Sequence, residues 1–160
     1  MEKMNGGKER KMKNSVFLVF GRNASLRTNV AYTLSRWGIT CITISEDGEI
    51  GKTTIENLEE LSDKAKFAIV LFSGDDEGRL YEPQKAEEEK ENLSLRAREN
   101  VVAELGYFMA KYGRTNVCTL YEKGVNIPSD FSGVTYVSLE DKWELKLAQY
   151  LQKAGFNIIL

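Results

Sequence analysis

Apolar residues run along this chain in two rhythms. Residues 16–20 (VFLVF), 67–72 (FAIVLF) and 117–121 (VCTLY) are almost wholly apolar. Unbroken β-branched and aromatic runs of that length suit strands buried on both faces, as in a parallel sheet. Between them apolar positions recur three and four apart, the period of an α-helix. Val101, Leu105, Phe108 and Tyr112 form one such stripe.

Turn and cap residues divide the rest. Gly21 ends the first strand, and Asn23 or Ser25 can cap a helix running to Trp37. Gly38 stands at the C′ position of that helix, where a left-handed residue commonly ends the coil. A second strand is expected over 39–44, then a loop marked by Asp47-Gly48 and Gly51. Thr53 and Glu56 have capping-box spacing and open a helix expected to reach about Ala65. The third strand is 67–72. Residues 75–93 are charged and read as a solvated loop or a frayed helix. A long helix is expected from Ser94 to Tyr112, closed by Gly113. The fourth strand is 117–121, followed by a turn or short helix at Ile127-Pro128-Ser129-Asp130. A fifth strand over 134–137 and a helix over 141–154, closed by Gly155, complete the series.

Strands alternating with helices imply an α/β fold with a parallel sheet and helices on both faces. Five strands in so short a chain favour the flavodoxin-like order 2-1-3-4-5. Residues 1–14 read as a flexible leader and 15–157 as one domain. Residues 158–160 (IIL) read as the start of a linker to a further domain.

Composition narrows the chemistry. The 160 residues are 42% apolar and 29% charged, ordinary values for a globular domain. A net charge of -2 argues against general nucleic-acid binding. No apolar run approaches the length of a membrane span, and the charged N-terminus lacks a signal-peptide core. Cys41 and Cys118 both fall in expected strands and read as reduced, buried thiols of a cytoplasmic protein. The chain has no histidine. That removes Ser-His-Asp and Cys-His schemes, histidine-ligated zinc and any histidine base. An enzyme built from this sequence would use a carboxylate.

In open α/β sheets ligands bind beyond the carboxyl ends of the strands, where the strand order reverses. Here that is the crevice between the first and third strands. Phe20, Gly21, Arg22 and Asn23 leave one strand, and Ser73, Gly74, Asp75 and Asp76 leave the other. Gly21 admits close backbone approach, Arg22 offers a guanidinium fork to phosphate, and the following helix aims its amides there. Asp75 and Asp76 can accept from ribose hydroxyls. Each residue alone also reads as plain turn or loop; their convergence makes the crevice a candidate. Gly51-Lys52-Thr53 is not a P-loop, because Glu46 stands where the earlier glycine belongs. On the long helix Glu104 flanks the apolar stripe, with Asn100 one turn before it and Arg98 nearby. A carboxylate at the edge of an apolar face is a candidate functional group, although from periodicity alone a surface glutamate paired to a basic neighbour is the favoured reading.

The segments VFLVFGRN (16–23), GKTTIENLEELSD (51–63), AIVLFSGDDEG (68–78), LRARENVVAELGYFMAKYGRTNVCTLYEKG (95–124) and NIPSDFSGVTYVSLED (126–141) resemble the bacterial TIR-like nucleotide-binding family. This is the TIR domain of STING-type effectors in cyclic-oligonucleotide (CBASS) antiphage defence. The resemblance implies a flavodoxin-like TIR fold and hydrolysis of NAD⁺ to nicotinamide and ADP-ribose. It places the catalytic carboxylate at Glu104 and a substrate pocket at Phe20, Gly21, Arg22, Asp75, Asp76, Arg98 and Asn100. The segment Gly51, Lys52, Thr53 and Thr54 matches a mobile loop that packs on a neighbouring subunit in TIR assemblies. The implied partners are NAD⁺, other TIR domains in a filament or homo-oligomer, and a fused cyclic-dinucleotide sensor. No nucleic acid, membrane, metal or separate cofactor is called for. Many relatives carry His-Gly-Arg-Asp after the first strand, where this chain has Phe20-Gly21-Arg22-Asn23; Phe20 offers a ring for stacking instead. Two other readings stay open: a TIR module that only binds other TIR domains, and a nucleotide sensor without turnover. A phospho-receiver domain is disfavoured, since the third strand ends Phe72-Ser73 rather than on an aspartate.

Overall fold

The computed structural model describes residues 14–44, 51–131 and 133–160. Residues 1–13 of the leader, the Asp47-Gly48 turn and Ser132 lie outside them. The strands are β1 (Ser15–Val19), β2 (Thr40–Ile42), β3 (Ala68–Phe72), β4 (Asp76–Gly78), β5 (Ser94–Arg96), β6 (Val117–Tyr121) and β7 (Thr135–Ser138). The helices are α1 (Ala24–Arg36), α2 (Thr54–Ser62), α3 (Glu99–Tyr112) and α4 (Trp143–Lys153). Five strands form one parallel sheet in the order β2-β1-β3-β6-β7. That is the flavodoxin-like arrangement expected from the alternation of elements.

The wholly apolar strands are central because both their faces are covered. Every residue of β1 and β3 is buried. Successive side chains of β1 point to opposite faces, as the pleat requires. Val16 and Leu18 pack with Val30 and Leu34 of α1 and with Trp143, Leu147 and Leu151 of α4. Phe17 and Val19 pack with Leu58 of α2 and with Val101, Leu105 and Phe108 of α3. The stripe noted on the long helix is therefore its core face.

The caps act as their spacing suggested. The Asn23 side chain accepts from the Leu26 amide at 3.0 Å and opens α1. Gly38 closes it at φ 76°, and Ile39 donates back to the Leu34 carbonyl at 3.0 Å. Thr53 and Glu56 form a reciprocal capping box at the start of α2. That helix ends at Ser62 rather than Ala65. Asp63 and Lys64 donate to carbonyls only three residues back, which tightens the last turn, and Tyr112 Oη occupies the Ser62 carbonyl.

The largest departure concerns residues 75–98. The chain there is no frayed helix: β4 and β5 form an antiparallel hairpin, pairing Asp76 with Arg96 and Gly78 with Ser94. Leu95 also bridges to Val125, and Asn126 donates to the Leu95 carbonyl at 2.9 Å. With its backbone groups committed to this pairing, Ser94–Arg96 is strand, and the long helix starts at Glu99 instead of Ser94. The excursion between the two strands carries one 3₁₀ turn, Glu87–Glu89. Arg79 and Lys90 both grip Glu87 and hold its carboxyl down to about 2. Of residues 127–130, Ser129 and Asp130 form a turn. The second strand is shorter than expected, three residues instead of six. Cys41 and Cys118 lie in β2 and β6 as free thiols, raised by burial to about 11 and about 12. Among the described residues no helix is long and apolar enough to cross a membrane.

Candidate functional site

A cleft of about 280 Å³ opens at the carboxyl end of β1, on the face covered by α2 and α3. The β1 backbone and its continuation through Phe20 and Gly21 form one wall. Arg98, the residue before α3, and Asn100, Val101 and Glu104 from its first two turns form the other. Ile44 beyond β2 and Thr54 at the start of α2 close the side.

Glu104 reaches this place by simple helical arithmetic. Val101 and Leu105 are buried under α3, and Glu104 lies between them in the sequence at the margin of that face. Its side chain is half-buried in the cleft. Loss of water raises its carboxyl above the usual range, and the positive charge of Arg98 opposes the rise. The result is a carboxylate with an apolar floor and one cationic neighbour, the setting in which a fixed negative charge interacts strongly with a ligand.

The candidates divide into three groups. Phe20, Gly21, Thr54, Arg98, Asn100 and Glu104 converge on the cleft. Arg22, Asp75 and Asp76 do not line it. Arg22 is turned to Asp76, with Nη1 2.6 Å from Oδ1, so the two charges satisfy each other at the rim. Asp75 is folded inward: Ser73 Oγ donates to its Oδ1 at 2.8 Å, and its Oδ2 is buried without a hydrogen-bond partner. That oxygen lies where a side chain on residue 21 would begin, 1.8 Å from the ideal Cβ position of Gly21. Any side chain at 21 would therefore displace the Asp75 carboxylate. The third group, Gly51, Lys52 and Thr53, shapes the start of α2: Thr53 caps it and Lys52 pairs with Glu60.

Phe20 carries a further surprise. The Arg27 guanidinium lies over its ring, 3.9 Å from the centroid, so one aromatic face is already covered. Glu122 is a residue that the sequence reading missed. Glu122, the residue after β6, accepts from the Asn23 side-chain amide and from the Gly74 backbone amide. Its place at the end of a predicted strand was the only available hint, since both partners are distant in sequence.

Comparison with known proteins gives this arrangement a family. Residues 15–141 match the family model described as CAP12/Pycsar effector protein, TIR domain. The chain is 38% identical over 148 residues to the uncharacterized protein YuaY of Escherichia coli (strain K12), covering 91% of this chain and 47% of that one. It is 32% identical over 149 residues to protein tirC of Dictyostelium discoideum, covering 89% of this chain and 71% of that protein. It is 35% identical over 85 residues to the Pycsar effector protein PaPycTIR of Pseudomonas aeruginosa, covering 52% and 25%. The chain thus spans about half the length of YuaY and a quarter of PaPycTIR. Among solved structures, a metazoan TIR-STING receptor from C. gigas in complex with 2',3'-cGAMP superposes with a TM-score of 0.52 at 16% identity, covering 85% of this chain and 38% of that one. At that identity the likeness concerns the fold alone. The matched segment takes in every strand of the sheet and both walls of the cleft, and the chain belongs to the TIR-domain family of CAP12/Pycsar effector proteins.

Proposed function

We propose that this domain cleaves the nicotinamide–ribose bond of NAD⁺, with Glu104 as the catalytic carboxylate. The observation that carries the reading is the position of Glu104, half-buried in the cleft at the end of β1 beside Arg98 and Asn100.

The chemistry suits this residue set. Nicotinamide is bound to ribose through a cationic ring nitrogen, so it leaves as a neutral base and needs no acid. As the C–N bond breaks, positive charge develops on the sugar ring, as in glycoside hydrolysis. An ionised carboxylate held beside the ribose stabilises that charge without reorganising. Water then adds to the anomeric carbon, a proton is lost to solvent, and ADP-ribose results. No step calls for histidine. Val101 and the apolar β1 wall exclude water on one side, which strengthens the interaction of Glu104 with the developing cation.

The wider role in this reading is that of an effector in cyclic-oligonucleotide antiphage defence, acting in the cytoplasm and switched on when TIR domains assemble. A sensor of cyclic nucleotides, joined to the domain, would drive that assembly. The names of the Pycsar effector relatives and the effector family model support it.

The test is incubation of the purified chain with NAD⁺ and detection of nicotinamide. Glu104→Gln, nearly the same shape without the charge, should lower the release rate about 100-fold or more while the melting transition stays cooperative. Full activity in that variant would remove Glu104 from the mechanism. Saturable NAD⁺ binding with no nicotinamide released by the native chain would favour a sensor instead.

A further inference from the structure

Glu122 follows β6 directly, and its carboxylate spans the ends of two other strands. One oxygen accepts from Asn23 Nδ2 at 2.5 Å and the other from the Gly74 amide at 3.1 Å. Its own amide donates to the Phe72 carbonyl at 3.0 Å, which sets the residue at the end of β3. Asn23 is committed at both ends of its amide, because its oxygen caps α1 through the Leu26 amide. The carboxylate therefore ties the loop after β1 to the loop after β3. Those loops meet where buried Asp75 Oδ2 lies against Gly21, and Gly21 is a wall of the cleft. The position needs two acceptor oxygens facing two N–H donors, which a carboxylate provides and an amide does not.

We propose that Glu122 is a positioning residue for the Glu104 cleft: it touches no ligand but clamps Asn23 and Gly74 so that Gly21 stands at the right distance from α3. The kinetic part of this proposal rests on the NAD⁺ reading.

The clamp can be broken from either side and rebuilt. Asn23→Asp preserves the cap on α1 but sets two carboxylates face to face. Glu122→Gln sets two amide NH₂ groups face to face, or leaves Gly74 without an acceptor. Combined, they restore complementarity: the new amide donates to the new carboxylate, and its carbonyl accepts from Gly74. Each single change should raise KM for NAD⁺ about tenfold, the weight of one hydrogen bond to a charged group, with kcat within about threefold. The double change should return KM close to its native value. A purely structural role would lower the active fraction, and so kcat, with KM unmoved.

A second measurement does not depend on turnover. In the ligand-free chain the Gly21 and Gly74 amide resonances should shift in each single variant and return in the double. That pattern, in a native chain that releases no nicotinamide even when joined to an oligomer-forming scaffold, would support the clamp and sink the NAD⁺ reading. Native KM and unshifted Gly21 in both single variants, with turnover intact, would overturn the clamp.

Discussion

Glu104 stands in a place that stability alone would not choose. Burial raises its carboxyl, so the folded chain holds the proton more tightly than the unfolded chain does. The unfolded form begins to ionise near its ordinary value of 4.5, the folded form at higher pH. Between those two values the unfolded state loses its proton first, and stability falls as pH rises. At neutral pH Glu104→Gln should therefore melt higher than the native chain, and the difference should vanish below about pH 4.5. In the proposed reading activity runs the other way, because the ionised form is the one that would stabilise a cationic sugar. Turnover should fall on acidification with a midpoint above the normal glutamate range. A variant that melts lower at pH 7, or an activity midpoint at or below 4.5, would contradict this. Gly21 makes a second prediction. Alanine there meets Asp75 Oδ2 at 1.8 Å and Cγ at 2.9 Å, so the carboxylate must leave its seat. Gly21→Ala should destabilise the fold by about 1 kcal/mol at most, below the usual cost of an overpacked core because the displaced group ends a flexible side chain, and Asp75→Ala in the same chain should recover most of it. Simple additivity of the two changes in thermal unfolding would show that the contact is not the cause.

The start of α2 is set by one box, in which Glu56 accepts from the Thr53 amide at 2.7 Å and Thr53 Oγ1 accepts from the Glu56 amide at 3.3 Å. Thr53→Ala should lower stability by about 1 kcal/mol, read from denaturant unfolding. Because the next residue, Thr54, lines the cleft, the same variant should also weaken ligand binding. Unchanged binding would mean that the helix start does not shape the pocket. Such local signals explain how much could be read in advance. The strands at 16–20, 67–72 and 117–121, the caps at Asn23 and Thr53, and the closing glycines depend on neighbours a few residues away. So does the edge position of Glu104, which follows from a period of 3.6. What escaped depends on distance. Residues 94–96 carry no pattern that distinguishes strand from helix; they are strand because they pair with 76–78 and with Val125. Glu122 gains its role from Asn23, 99 positions earlier, and Gly74, 48 positions earlier. Asp75 and Arg22 leave the strands that the sequence marks, but the ion pair with Asp76 and the inward turn onto Gly21, which keep both out of the cleft lining, are products of tertiary packing.

The two faces of the sheet carry different duties. The α1 and α4 side is packed around Leu34, Trp143 and Leu147, whereas the α2 and α3 side yields the cleft at its upper end. In the proposed reading, activity depends on assembly. Joining the domain to a scaffold that forces oligomers should raise turnover per subunit, measured as nicotinamide released at fixed subunit concentration. Turnover that is flat with both concentration and forced assembly would remove the gating.

The size of the cleft carries a consequence of its own. At about 280 Å³ it falls just below the range of pockets that enclose a drug-sized molecule, commonly about 300–1,000 Å³. A dinucleotide is bulkier than that. In the proposed reading the nicotinamide riboside end would fill the hollow beside Glu104 and leave the adenylate end lying in the open, with Arg22 already engaged by Asp76. One copy would then grip its substrate by a single end, and whatever surface comes to rest over the exposed half would decide how tightly NAD⁺ is held.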